Sequence, residues 1–365
     1  MSTQEDSLQG TFGEAIKNAK AAMARVDEAR LRRFIQSQPD VRELGSMSPL
    51  SYPTGGAGAS NGIAFFTAEI DCGNGLQAMD LVLRYSPGVT LLKQKSFADE
   101  FLTVRAVHAL GHLPVPNVLW LDADGSRVGF ASYVMERVVG DAPSGPMYSA
   151  GPLADVTPEK RKEMMLEAAG FHGRLRKAAI GPVQVPHLAR RGTGANAIEQ
   201  ELSWWAKELQ LVIPADDPKA VQVAGLYRWL IEHQPEAYSP NLVHGDAQIA
   251  NMMFHDGHIA AVLDWELSYL GHNESDLALV VFLTETHKVI DKHVDGTPTE
   301  EEYIERYELE SGTKVQHWEY FKLLNMYRIL SVVLLSRPFM PNFEPYWAYN
   351  VGYLDQAWSQ ARLIA

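Results

Sequence analysis

The chain has 365 residues, 46% of them hydrophobic, with 8 Trp, 14 Tyr and 13 Phe; this excludes a disordered chain and predicts two lobes with sizeable cores. Acidic residues outnumber basic ones 45 to 32, a net charge of −13, which argues against nonspecific nucleic-acid binding and against docking on anionic membranes. The single cysteine, Cys72, excludes an internal disulfide and a multi-cysteine zinc site, and fits a reducing cytosol.

The opening stretch, MSTQEDSLQGTFGEAIKNAK, carries acids where a signal peptide needs bases, so a soluble, cytoplasmic protein is expected. Residues 12–37 predict a helix, with Leu31, Phe34 and Ile35 on one face after a start near Asp27. Glycine-rich 53–62 follows, then strands at 63–70 and 78–86 around the turn DCGNG. A helix is expected at 96–110. Beyond PVP at 114–116, strands VLWLDA and VGFASYVME flank the turn Asp124-Gly125.

From about Gly140 the pattern turns helical, with helices predicted at 157–178, 193–210, 218–234, 298–311, 314–336 and 346–363. The apolar run YFKLLNMYRILSVVLL is interrupted by Lys322, Asn325 and Arg328, which marks a buried helix rather than a membrane span. The fold class is therefore α+β. A helical extension at 1–40 precedes a β-rich N-lobe at 41–139, and a larger α-helical C-lobe at 140–365 carries one hairpin.

That hairpin lies in NLVHGDAQIANMMFHDGHIAAVLDWE, residues 241–266, with Asp256-Gly257 as its turn. Counting outward, Asn251 and Asp264 fall nearly opposite each other, and Asp246 lies on the loop entering the hairpin. Each alone reads as a turn cap or a local backbone bond. Together, with Asp246 to Asn251 at five and Asn251 to Asp264 at thirteen, they form a set of hard oxygen donors suited to Mg²⁺. That spacing is the one in which kinases hold a catalytic Asp, a metal-binding Asn and a metal-binding Asp.

VHGDAQIAN, then VLDWE, then SDLA resembles the aminoglycoside phosphotransferase and choline kinase family, which has the bilobal protein-kinase-like fold. LVLRYSP, LGHLPVP, YVMERVVG and LDWELSYLG resemble the branch containing the kinase-like domains fused to some acyl-CoA dehydrogenases. The resemblance implies that Asp246 orients an acceptor hydroxyl and takes its proton. It implies that Asn251 and Asp264 hold Mg²⁺ and that His244 braces the loop. Glu266 and Asp276 match family positions as supporting residues.

The nucleotide side follows from the same resemblance. GGAGASNG, with Gly56, Gly58, Ser60 and Asn61, would cover the phosphates, or else be a Gly-rich linker. Arg84 stands where the family's strand lysine is expected and keeps its charge. Its helix partner is Glu100, or Thr103 on the alternative spacing. Glu136 and Val138, on the connector, would offer backbone groups to the nucleobase. Two departures, Ala247-Gln248 and His272, bear on the acceptor.

The implied activity is ATP- (or GTP-) and Mg²⁺-dependent O-phosphotransfer to a small hydroxylated molecule, a hydroxyacyl-CoA or another metabolite. No nucleic-acid or membrane partner is expected, and oligomeric state stays open. Two rivals remain. One is a catalytically decayed nucleotide-binding module. The other is a serine hydrolase built on Ser60, since Gly58-Ala59-Ser60-Asn61-Gly62 matches G-x-S-x-G but lacks the strand–turn–helix setting. His255, His258 and His272 lack the spacing or cysteine partners of a zinc site.

Overall fold

The computed structural model describes residues 25–53, 61–86, 91–144, 150–236, 239–291, 295–340 and 343–364. The chain divides into two compact units. One runs through Gly140 and takes in Ala260–Glu266; the other comprises Asp141–Ile259 and the chain from Leu267 onward.

The first unit is built on an antiparallel sheet of order β1-β2-β3-β5-β4, with β1 Glu43–Met47, β2 Gly62–Asp71, β3 Gln77–Tyr85, β4 Val118–Asp122 and β5 Ser132–Glu136. β2 and β3 pair from Gly62↔Tyr85 to Ile70↔Gln77, and the Asp71 carboxylate closes their turn by accepting from Gly73 N and Gly75 N. Helix α1, Glu28–Gln36, starts on its Asp27 cap and buries Leu31, Phe34 and Ile35 in the sheet core. Helix α2, Phe97–His108, is capped by Ser96 and buries Glu100 and Thr103 beside its apolar residues.

Two elements here differ from expectation. β1 has no alternating pattern and includes Gly45, so only its pairing with β2 reveals it. β5 begins at Ser132 rather than 128, because the Asp122 carboxylate accepts from Arg127 N and Val128 N and folds that stretch into a turn.

The second unit is helical: α3 Pro158–Ala178, α4 Ala197–Val212, α5 Pro218–Glu232, α6 Glu274–Asp291, α7 Glu300–Ser311, α8 Trp318–Ser336 and α9 Phe343–Ile364. Caps fix their starts, among them Thr157 for α3, Asn196 for α4 and a Thr299/Glu302 capping box for α7. α8 packs against α4, α5, α6 and α9, and most of its residues are buried, which accounts for its all-round apolar character. No helix among the described residues is long and apolar enough to cross a membrane.

Helix α6 is absent from the sequence expectation because Leu277–Phe282 are buried on every side, leaving no polar face to set a 3.6-residue period. Strands β6 Asn241–Val243 and β9 Tyr269–Gly271 are also new, and pair antiparallel, Val243 against Tyr269. β7 Met252–His255 and β8 His258–Val262 form the expected hairpin. Asp256 and Gly257 both have positive φ, 50° and 78°, the geometry a two-residue turn needs to match strand twist.

Leu83, fully buried in β3, is a direct probe of the sheet core. Leu83→Ala is expected to lower unfolding stability by about 2–5 kcal/mol in urea titration.

Candidate active site

In the helical unit, the chain leaves β6 at Val243 and enters a loop, 244–251, held from below by one carboxylate. Asp276, at the start of α6 and fully buried, accepts from His244 N at 2.8 Å and Gly245 N at 2.9 Å. His172 on α3, equally buried, places Nδ1 3.3 Å from Asp276 Oδ2. Burial alone would push the Asp276 carboxyl up. His172 and His244, with the Gly245 amide, overcome it and hold the group below the usual carboxylate range.

Gly245 turns the loop with φ +83°, and a Cβ there would lie 2.1 Å from Leu267 O. Only glycine permits that approach. The Asp246 amide donates to His244 Nδ1 at 3.2 Å, so that nitrogen carries the lone pair. The Asp246 carboxylate accepts from Gln248 Nε2 at 3.0 and 2.8 Å and from Asn251 Nδ2 at 2.8 Å. With Nδ2 given to Asp246, Oδ1 is the Asn251 atom that a cation would take.

In the sheet unit a second charged cluster forms around Arg84, on β3 and only 5% exposed. Its Nε lies 3.0 Å from Glu100 Oε1 on α2, and its Nη2 meets Asp264 Oδ1 and, at 3.3 Å, Glu266 Oε2. Tyr133 OH donates to Glu100 at 3.1 Å. Lys95 bonds Asn61 Oδ1 at 2.7 Å and pairs with Glu266, which also accepts from Asn61 Nδ2 at 2.6 Å.

Burial would lower the Arg84 pKa, but Asp264 and Glu100 raise it well above its ordinary value. Burial pushes Glu100 up to about 7; Arg84 opposes that, while Asp264 and Glu266 add to it. Asp264 has a φ of +65°, a strained backbone for a residue with a side chain.

The predicted residues thus gather in two places. Asp246, His244, Asn251 and Asp276 share the helical unit; Arg84, Glu100, Asn61, Asp264 and Glu266 share the sheet unit. Arg84 pairs on its helix with Glu100, while Thr103 donates to Asp99 O at 2.8 Å. Glu136 N–H is bonded to Asn117 O and Arg137 N–H to Asp80 O, so the first amide past them is that of Val138. Gly56, Gly58 and Ser60 lie outside the described residues.

Lys95, His172 and Gln248 were not singled out for these positions. Lys95 sits in LLKQKS with no motif around it, and His172 lies in an α3 stretch with no catalytic signature.

A loop aspartate bonded to an asparagine five residues on, in a chain built of a sheet unit and a helical unit, is in keeping with a phosphotransferase. A sequence profile of the phosphotransferase enzyme family matches residues 60–319, and the chain belongs to that family. It is 30% identical over 264 residues to human acyl-CoA dehydrogenase family member 11, covering 69% of this chain and 32% of that protein. It is 28% identical over 290 residues to the Arabidopsis thaliana protein named probable acyl-CoA dehydrogenase IBR3, covering 73% and 34%. The chain spans about a third of the length of these two relatives.

Among solved structures, a Ralstonia eutropha protein solved as a candidate aminoglycoside phosphotransferase matches with a TM-score of 0.65 at 23% identity, covering 93% of this chain and 99% of that one. Aminoglycoside phosphotransferase APH(4)-Ia, in a ternary complex with ADP and hygromycin B, matches at 0.55 and 18% identity, covering 90% and 97%. At such identities these likenesses speak for the fold.

Asp276 supplies the test of the loop's support. Its folded pKa lies below its unfolded value, so its stabilisation is present above the unfolded pKa and lost as pH falls through the folded one. Asp276→Asn, which sets a donor against one backbone amide, is expected to lose about 2–3 kcal/mol at neutral pH. It should also flatten the fall in stability as pH drops below about 4, the ordinary Asp pKa, read by urea unfolding at each pH.

Proposed function

We propose that this chain transfers the γ-phosphoryl group of ATP or GTP to a hydroxyl of a small metabolite, with Mg²⁺. The observation that carries the reading is the loop 244–251, where Asp246 is fixed by Asn251 and its backbone by Asp276. In this reading Asp246 aligns the acceptor hydroxyl and receives its proton as the oxygen joins phosphorus and the bond to the departing diphosphate breaks. The hydroxyl takes the place that Gln248 Nε2 occupies on the carboxylate. His244 holds the Asp246 amide and so the loop's turn.

Asn251 and Asp264 would hold the metal. The donors fit a hard cation: they are oxygens, and in the sheet cluster three carboxylates (Glu100, Asp264 and Glu266) face two cations, Arg84 and Lys95. Among the described residues no group of three or more His, Cys, Asp or Glu makes a metal cage by itself. Mg²⁺ commonly takes one or two protein oxygens and completes its shell from phosphates and water. When bound, Mg²⁺ supplies positive charge against that growing on the phosphoryl oxygens.

Arg84, turned by Glu100, supplies a two-pronged donor for phosphate oxygens. Asn61, with Gly56, Gly58 and Ser60 before it, would cover the phosphates, Glu136 and Val138 would face the base, and Glu266 supports Lys95 and Asn61. The kinship with acyl-CoA dehydrogenase family members supports a hydroxyacyl-CoA or a similar hydroxylated metabolite as acceptor.

Asp246→Asn is expected to keep nucleotide affinity and lose about 10²–10⁴-fold in transfer, as removal of a general base does; full activity in that variant rejects the reading. Asp264→Ala should abolish Mg²⁺-dependent ATP binding in a calorimetric titration, and unchanged heats would contradict its role.

A further inference from the structure

A buried arginine, a buried glutamate and a second arginine whose side chain is 10% exposed lie behind the loop, and the chemistry above makes no use of them. Arg328, on α8 and 3% exposed, donates through Nη2 to Gly245 O, the carbonyl just before Asp246. Arg191, in the segment entering α4, donates through Nη1 to Leu267 O at 2.8 Å and Ser268 O at 2.6 Å. Glu201 on α4, 2% exposed, joins the two: Oε1 lies 3.1 Å from Arg328 Nε, and Oε2 lies 3.4 Å from Arg191 Nε. Trp205 Nε1 donates to Glu201 Oε1 at 2.8 Å and fixes that carboxylate.

Aromatic faces complete the setting. Arg191 lies 4.0 Å from the Trp204 ring centroid, and both arginines stand over Tyr269, at 5.4 and 5.1 Å. Such rings partly replace the water a guanidinium gives up.

The two backbone stretches gripped this way are neighbours. Gly245 is so close to Leu267 O that a side chain would not fit, and Ser268 Oγ donates to His244 O at 3.3 Å. One arginine therefore holds each side of that contact, and the shared glutamate fixes the spacing between them. Burying three charges is a poor way to gain stability, since apolar residues of similar volume serve as well or better. What the charges give instead is direction: a planar guanidinium addresses carbonyls at set angles. Arg328 also brings positive charge near Asp246 and Asp276: burial works to lower its pKa, but Tyr269, Glu201, Asp276 and Asp246 together hold it above its ordinary value.

We propose that Arg191, Glu201 and Arg328 form a buried clamp that positions Asp246 for phosphoryl transfer, acting through the carbonyls of Gly245, Leu267 and Ser268. These are positioning residues; none touches a reacting atom. The proposal rests on Asp246 as the group that receives the acceptor's proton.

The test uses Arg328→Met, Arg328→Lys and Glu201→Gln in the full chain, with MgATP alone as probe and ATP hydrolysis as the rate. Arg328→Met is expected to lower kcat about a hundredfold, the scale of an ångström's misplacement, while MgATP affinity stays within about twofold. Arg328→Lys, which keeps charge and one donor, should recover part of that loss. Amide exchange supplies a readout independent of activity. In Arg328→Met and Glu201→Gln, residues 243–246 and 267–269 should exchange about tenfold faster, with α3 and α7 unchanged.

An unchanged kcat, or exchange that is unaltered or raised evenly through the helical unit, overturns the clamp. Should Glu201→Gln fail to fold, the two Arg328 variants decide. Where the wild-type chain hydrolyses no ATP in the absence of an acceptor, the exchange pattern alone decides the clamp, and the phosphotransferase reading is decided separately with acceptor pools.

Discussion

One fully buried carboxylate sets the position of the loop on which the site is built. Asp276 accepts two consecutive backbone amides, those of His244 and Gly245, and two histidines lie close enough to keep it charged. A carboxylate fixed by α6 cannot follow a wandering loop, so the loop must sit where the helix puts it. Asp246 is the next residue along and inherits that constraint. Its own carboxylate is then oriented by Asn251, and Arg328 holds the carbonyl on its other side. Helices α3, α6 and α8 thus each contribute one side chain, and α4 two, toward the placing of a single aspartate.

The sheet unit solves a different problem, that of keeping a buried cation charged and aimed. Arg84 is enclosed, and an unpaired guanidinium there would be costly. Glu100 holds it from the helix while Asp264 and Glu266 meet its other edge. Lys95 and Asn61 share Glu266, so the cluster is a chain of alternating charges rather than one pair. The left-handed backbone of Asp264 is strain that this surrounding network sustains.

Much of this was legible in the sequence, for reasons that can be named. Asp246, Asn251 and Asp264 stand out because their spacing around an Asp-Gly turn is local, and Leu31, Phe34 and Ile35 because α1 has one wet face. Helix α6 was not legible, since burial on all sides erased its period, and β1 was not, since its identity lies in its partner. Likewise Lys95 meets Glu266 across 171 positions and Arg328 meets Gly245 across 83, and no motif encodes such distances. Glu100 and Thr103 were equally placed on α2 by spacing; contact with Arg84 distinguishes them.

The most direct measurement incubates the chain with ATP, Mg²⁺ and pooled hydroxylated metabolites, acyl-CoA esters included, and follows masses over time. The account predicts that one compound gains a single phosphoryl group as ATP becomes ADP, and that chelating Mg²⁺ stops it. Adenine nucleotide that stays intact in every pool, with GTP equally untouched, would contradict it.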